Sequence, residues 1–110
     1  MLILFDHGTP RGIARFLPGH AVIRARQRGW DRLSNGDLLA EAEQAGFDVF
    51  LTADKNIRFQ QNLAGRRIAV VVLSTPQWPR VRLHAAMIAA AVSAAIPGSY
   101  AEVHIPHRVL

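Results

Sequence analysis

Two short stretches decide the fold: Leu2-Ile3-Leu4-Phe5-Asp6 and Val49-Phe50-Leu51-Thr52-Ala53-Asp54. The first is a continuous apolar run followed by an aspartate, and the second is a largely apolar, β-prone run that Asp54 closes. A run of four apolar residues without alternation suits a strand covered on both faces, as in a parallel sheet. An acid directly after such a run sits where burial without a partner is costly.

Working outward, Thr9-Pro10 reads as a helix cap with proline at the first helical position, and Ile13, Phe16 and Leu17 recur at helical spacing before Pro18-Gly19. His20 to Arg28 alternates, with Arg24, Arg26 and Arg28 on one side, as in an edge strand wet on one face. Ser34 and Asp37 have capping-box spacing ahead of the apolar stripe Leu38, Leu39, Ala42 and Ala45, which ends before Gly46. After Asp54, Ile57 to Leu63 reads as a short helix and Ile68 to Leu73 as a strongly β-prone strand. A long alanine-rich helix is expected from Val81 to Ile96, packed widely against the sheet or against a second copy of the chain, and Tyr100 to Ile105 as a last, half-exposed strand. Strand and helix thus alternate throughout, the signature of a doubly wound parallel sheet. A strand order near 2-1-3-4-5 places strands one and three side by side, with Asp6 and Asp54 meeting at the switch point where such sheets bind ligands.

The 110 residues suit a single domain, residues 1–110, and half of them are apolar, enough for one core. The absence of cysteine excludes disulfides, thiolate metal sites and cysteine nucleophiles. Neither apolar stretch, 1–5 or 85–96, has the length of a membrane span or an export signal, so a soluble, cytoplasmic protein is expected. The formal charge is +5, and twelve of the thirteen cationic side chains are arginine. Arginine suits phosphate and base stacking, though an arginine-rich solvated surface explains the charge equally well.

Paired strand-end carboxylates make a hard-oxygen site suited to Mg²⁺ or Mn²⁺, with Asp37 leaning over the same edge from its helix and Glu41 one turn behind it. Taken singly, Asp37 reads as part of a cap with Ser34, and Asp54 as a cap for the helix that follows. Lys55, Arg58, Arg11 and Arg32 are rim cations where phosphates would arrive. Trp30 and Trp78 are loop aromatics able to stack bases, although covering a core edge is the commoner use. Gln60, Gln61 and Asn62 make a polar run of open role. His20, His84, His104 and His107 have no metal spacing.

The segments Leu4-Phe5-Asp6-His7-Gly8-Thr9-Pro10, Asn35-Gly36-Asp37-Leu38-Leu39, Leu51-Thr52-Ala53-Asp54-Lys55-Asn56 and Arg58-Phe59-Gln60-Gln61-Asn62-Leu63 resemble small PIN-like proteins classed with the toxins of toxin-antitoxin pairs. That resemblance runs from Leu2 to about Ile105. It implies a three-layer α/β/α sandwich with a mostly parallel four- to five-stranded sheet. It further implies a Mg²⁺- or Mn²⁺-dependent endonuclease acting on single-stranded RNA, restrained by an antitoxin protein, with Asp6, Asp37 and Asp54 as catalytic and metal-binding residues. Many such relatives have Glu at the position of His7 and Asp at that of Asn56, so the acidic cluster is thinner here. The alternatives are a PIN-like module that binds RNA or a protein without cutting, and a phosphotransfer receiver domain. The missing acidic pair at Asp6-His7 and the missing lysine between Ile68 and Arg108 speak against the receiver.

Overall fold

The computed structural model describes residues 1–57, 63 and 65–107. The short helix expected after Ile57 lies outside them, and so do Arg58, Gln60, Gln61 and Asn62.

Five strands form one all-parallel sheet: β1 (Leu2–Phe5), β2 (Ala21–Arg24), β3 (Val49–Thr52), β4 (Ala69–Leu73) and β5 (Tyr100–Val103). Their order is β2-β1-β3-β4-β5, with β1 and β3 paired in the centre as the alternation of elements implied. The unbroken apolar runs are buried on both sides: every residue of β3 and β4 is buried. Ile3, Phe5, Val49, Leu51, Val71 and Leu73 face one core, shared with Ile13, Val81, Ile88 and Val92. Leu4, Phe50, Val70 and Val72 face the other, shared with Leu38, Leu39 and Ala42. Helical segments therefore cover both faces of the sheet.

Helix α1 (Asn35–Gln44) starts and stops where its capping residues dictate. The Ser34 hydroxyl accepts the Asp37 backbone N–H at 3.2 Å, and Gly46 takes the left-handed conformation (φ 86°) just past the end.

Three expectations are corrected. The first helix is a 3₁₀ segment, Arg11–Phe16, with Pro10 in extended conformation at its cap, and Thr9 has turned its hydroxyl to Asp6 instead. The strand expected to Arg28 stops at Arg24. From Ala25 to Arg28 the chain winds into a 3₁₀ turn, because the Gln27 side chain accepts the Arg24 N–H (2.8 Å) and Gly29, at φ 75°, closes the turn. This bend takes Arg26 off the edge face, and it lines the carboxyl end of the sheet beside Arg24, the last residue of β2.

The long helix is two: α2 (Trp78–Leu83) and α3 (Ala85–Ala94), broken at His84, whose backbone lies at φ −120°, ψ 24°. The break falls at His84 although alanine propensity favours continuity, and Val81 on the first piece and Ala85, Ile88 and Val92 on the second are all buried. On the far side Leu83 and Met87 stay exposed. Among the described residues no helix is long and apolar enough to cross a membrane.

Candidate functional site

All five strands point the same way, so β1 and β3 deliver Asp6 and Thr52 to one edge. Asp6 is only 6% exposed. Its Oδ1 accepts the Thr9 hydroxyl (2.6 Å) and its Oδ2 the Thr52 hydroxyl (2.5 Å). The Thr9 oxygen also lies 2.9 Å from the Leu51 carbonyl, so its single proton is shared between two acceptors. This explains how an acid tolerates its place behind a buried strand: two threonine hydroxyls hold the carboxylate.

The Thr52 hydroxyl works in both directions. While donating to Asp6 it accepts the backbone N–H of Asp54 at 3.0 Å. Asp54 in turn accepts the Asn56 N–H on Oδ1 (3.0 Å) and the Asn35 amide on Oδ2 (2.9 Å). Asp6, Thr52, Asp54 and Asn35 thus form one hydrogen-bonded chain from β1 through β3 to the first turn of α1. Asp37 stands two residues further into α1 with its side chain exposed. Asp54 thus holds the backbone two residues on and is linked to the neighbouring acid, while the helix it is expected to cap lies outside the described residues. Thr9, Thr52 and Asn35 had no recognisable signal: a threonine at a strand end and an asparagine beside a cap are ordinary at those positions.

Two cavities flank this chain along the carboxyl edge. On the β2 side Asp6 opens into a space of about 390 Å³ lined by His7, Arg24, Ala25, Arg26 and Asp31. On the β4–β5 side a space of about 400 Å³ has Lys55, Ser74, Thr75, Arg80, Glu102, His104 and His107 among its walls. Asp37 and Asp54 line neither. Asp31 faces the same cavity as Asp6 only because the 3₁₀ turn at Ala25–Arg28 folds the chain back, which no local pattern announces.

The tryptophans have packing partners. Trp30 meets the Phe47 ring edge-on (centroids 6.0 Å apart), and the Arg28 guanidinium lies 4.7 Å over its ring. Trp78 sits against Gly12, so closely that a Cβ there would lie 2.5 Å from the indole. It borders a shallow recess with Arg11 and Arg15. Lys55 is exposed at the second cavity. Arg58 lies outside the described residues.

Among the described residues no three of His, Cys, Asp and Glu come together so as to hold a metal ion. The donors along the chain are all oxygen on the acidic side, and each carboxylate oxygen with a single hydrogen bond keeps a lone pair. Such a set fits one hard cation with a largely aqueous shell, since Mg²⁺ commonly takes only one or two carboxylates. It does not fit a closely caged or two-ion site.

No family model, curated protein or solved structure matches the chain.

Proposed function

We propose that this protein is a metal-dependent endonuclease for single-stranded RNA, working at the carboxyl edge of β1 and β3. The observation that carries the reading is the link from Asp6 through Thr52 to Asp54, with Arg24 and Arg26 in the cavity on one side and Lys55 and Arg80 in the cavity on the other. Acidic groups that hold a cation belong at the centre of a phosphodiester site, and cations that hold flanking phosphates belong beside it.

Asp6 and Asp54 would hold Mg²⁺ or Mn²⁺, which when bound polarises a phosphoryl oxygen and makes a bound water more acidic. The chain's own residues do the positioning. Thr52 and Thr9 fix the Asp6 carboxylate, and Asn35 and the Asn56 N–H fix that of Asp54. Arg24 and Arg26 offer donors to the phosphate next to Asp6. Asp37, exposed at the start of α1, orients water from the solvent side. The roles of toxin and of a restraining antitoxin rest on the PIN-like resemblance alone.

A second reading, an RNA- or protein-binding module that does not cut, is favoured by the absence of a three-ligand group among the described residues. The deciding experiment is gel analysis of a labelled, structureless RNA with wild type, Asp6→Asn and Asp54→Asn in each metal. Cleavage lost in both variants supports the nuclease. Wild type that binds RNA without cutting it establishes the second reading, and cleavage surviving both substitutions removes the site.

A further inference from the structure

We propose that the cavity at the carboxyl ends of β4 and β5 is a binding site for a nucleotide, taking its terminal phosphate. That a nucleotide carries the phosphate rests on the nuclease reading above; the preference for an anion rests on the cavity itself.

The volume, about 400 Å³, lies in the range of small-molecule sites, about 300–1,000 Å³. Its donors are prearranged. Arg80 gives its Nε to the Pro106 carbonyl (3.1 Å), one terminal nitrogen to the Ile105 carbonyl (3.0 Å) and the other to Gln77 Oε1 (3.4 Å). These bonds fix the plane of the guanidinium and leave N–H groups still to donate, the state in which arginine binds phosphate with least loss of side-chain freedom.

The Ser74 hydroxyl accepts the Ile105 N–H (2.8 Å) and the Thr75 hydroxyl accepts the Gln77 N–H (3.2 Å). Both therefore keep their own protons for an acceptor in the cavity. Lys55 supplies a mobile charge at the rim, and His104 and His107 supply further ring N–H donors. An anion with several acceptor oxygens uses all of these together. Glu102, whose carboxylate accepts the Tyr100 hydroxyl, also lines the space. A space of about 400 Å³ is larger than a bare phosphate fills, which leaves room for the rest of a nucleotide.

The test is calorimetric titration of the whole chain with uridine 5′-monophosphate, uridine and inorganic phosphate. The monophosphate is expected to bind saturably, the nucleoside undetectably, and phosphate more weakly than the nucleotide. Lys55→Gln combined with His104→Gln, both at exposed positions, should weaken the nucleotide roughly tenfold without changing the melting temperature. Arg80→Lys should weaken it as well, and keeps a cation if loss of the carbonyl bonds loosens the tail. Affinity unchanged in the double variant, or uridine binding as tightly as its monophosphate, overturns the proposal. Equal affinity for inorganic phosphate removes the nucleotide from it. The nuclease reading fails separately: if RNA stays uncut while the monophosphate binds as described, this pocket stands and the catalytic claim does not.

Discussion

At the β1–β3 end of the sheet edge the polar side chains satisfy one another, whereas at the β4–β5 end they surround open space. Asp6 is buried, both its oxygens are held by threonine hydroxyls, and Thr52 passes the connection on to Asp54. Around the second cavity Ser74, Thr75 and Arg80 are each fixed by the backbone yet retain donors, and Lys55 and His104 are exposed. In the first region the proposed function would be bound up with stability, because its acid is part of the interior. In the second, Lys55 and His104 are separable from the fold because they stand in water, while Arg80 is tied to the backbone. Substitutions should show the contrast directly.

The largest effect is expected from Thr52→Val, which keeps the shape and removes the hydroxyl. It deprives Asp6 Oδ2 and the Asp54 N–H of a partner at once, one of them buried and charged. A loss of about 2–3 kcal/mol in denaturant unfolding is expected. Lys55→Gln at the other end should change stability by no more than about 0.5 kcal/mol. Similar losses in the two variants would erase the distinction between the ends.

Gly12→Ala asks whether Trp78 belongs to the scaffold or to a substrate rim. A methyl group at Gly12 would meet the indole at 2.5 Å, and that ring is packed on the core beside Ile13 and Val81. Overpacking of this kind costs about 1–2 kcal/mol, so thermal unfolding should register it while RNA affinity stays unchanged. A loss of RNA affinity at unaltered stability would return Trp78 to the stacking role considered from the sequence.

Glu43 provides a smaller effect with a pH signature, far from either functional end. It sits on α1 and fastens the approach to β4. The Arg67 backbone N–H, at 2.6 Å, chiefly holds its carboxyl below the ordinary glutamate range; partial burial opposes this, and the Ile68 N–H and the charges of Arg66 and Arg67 add to it. A lowered folded value means stabilisation that is present above the unfolded value, about 4.3, and lost as pH falls through the folded one. Glu43→Gln should therefore be less stable than wild type by about 1 kcal/mol near neutrality. Its melting curves should converge on those of wild type as the pH drops well below 4. A gap that persists in acid would mean that the carboxylate charge is not what matters.

The residues legible in the sequence are those whose environment is local. The runs 2–5 and 49–52 announce double burial, and the alternation of elements then leaves few strand orders, of which β2-β1-β3-β4-β5 is the one found. Asp6 was legible because an acid at the end of such a run needs partners. Arg24 ends the edge strand as its alternation implies, but Arg26 and Arg28 leave it because one side-chain contact, Gln27 to the Arg24 N–H, outweighs the alternating pattern. In the alanine-rich segment propensity and apolar spacing both favour one helix, and neither marks the break at His84. The β4–β5 cavity had no signature at all: its walls come from residues 55, 74–80 and 102–107, brought together only by the parallel order of the strands.

The smallest expected effect bears on the metal. With two carboxylates and mostly water around it, an ion at Asp6 and Asp54 is weakly held, and at a concentration equal to its dissociation constant it stabilises by RT ln 2, about 0.4 kcal/mol. For a chain of this length that is a rise of about 2–3 °C in Tm. Asp6→Asn with Asp54→Asn is the proper control, because the existing hydrogen bonds can be rearranged to accept it. At residue 6 the amide oxygen can keep the Thr52 hydroxyl, while the amide N–H donates to Thr9, whose proton then goes wholly to the Leu51 carbonyl already 2.9 Å away. At residue 54 the amide oxygen keeps the Asn56 N–H, and the Asn35 amide turns to present its oxygen. The double variant should stay folded and lose the Mn²⁺- or Mg²⁺-dependent rise. An equal rise in both proteins would place any bound metal elsewhere on the surface, and would leave the acidic end of the edge as a structural hydrogen-bond chain.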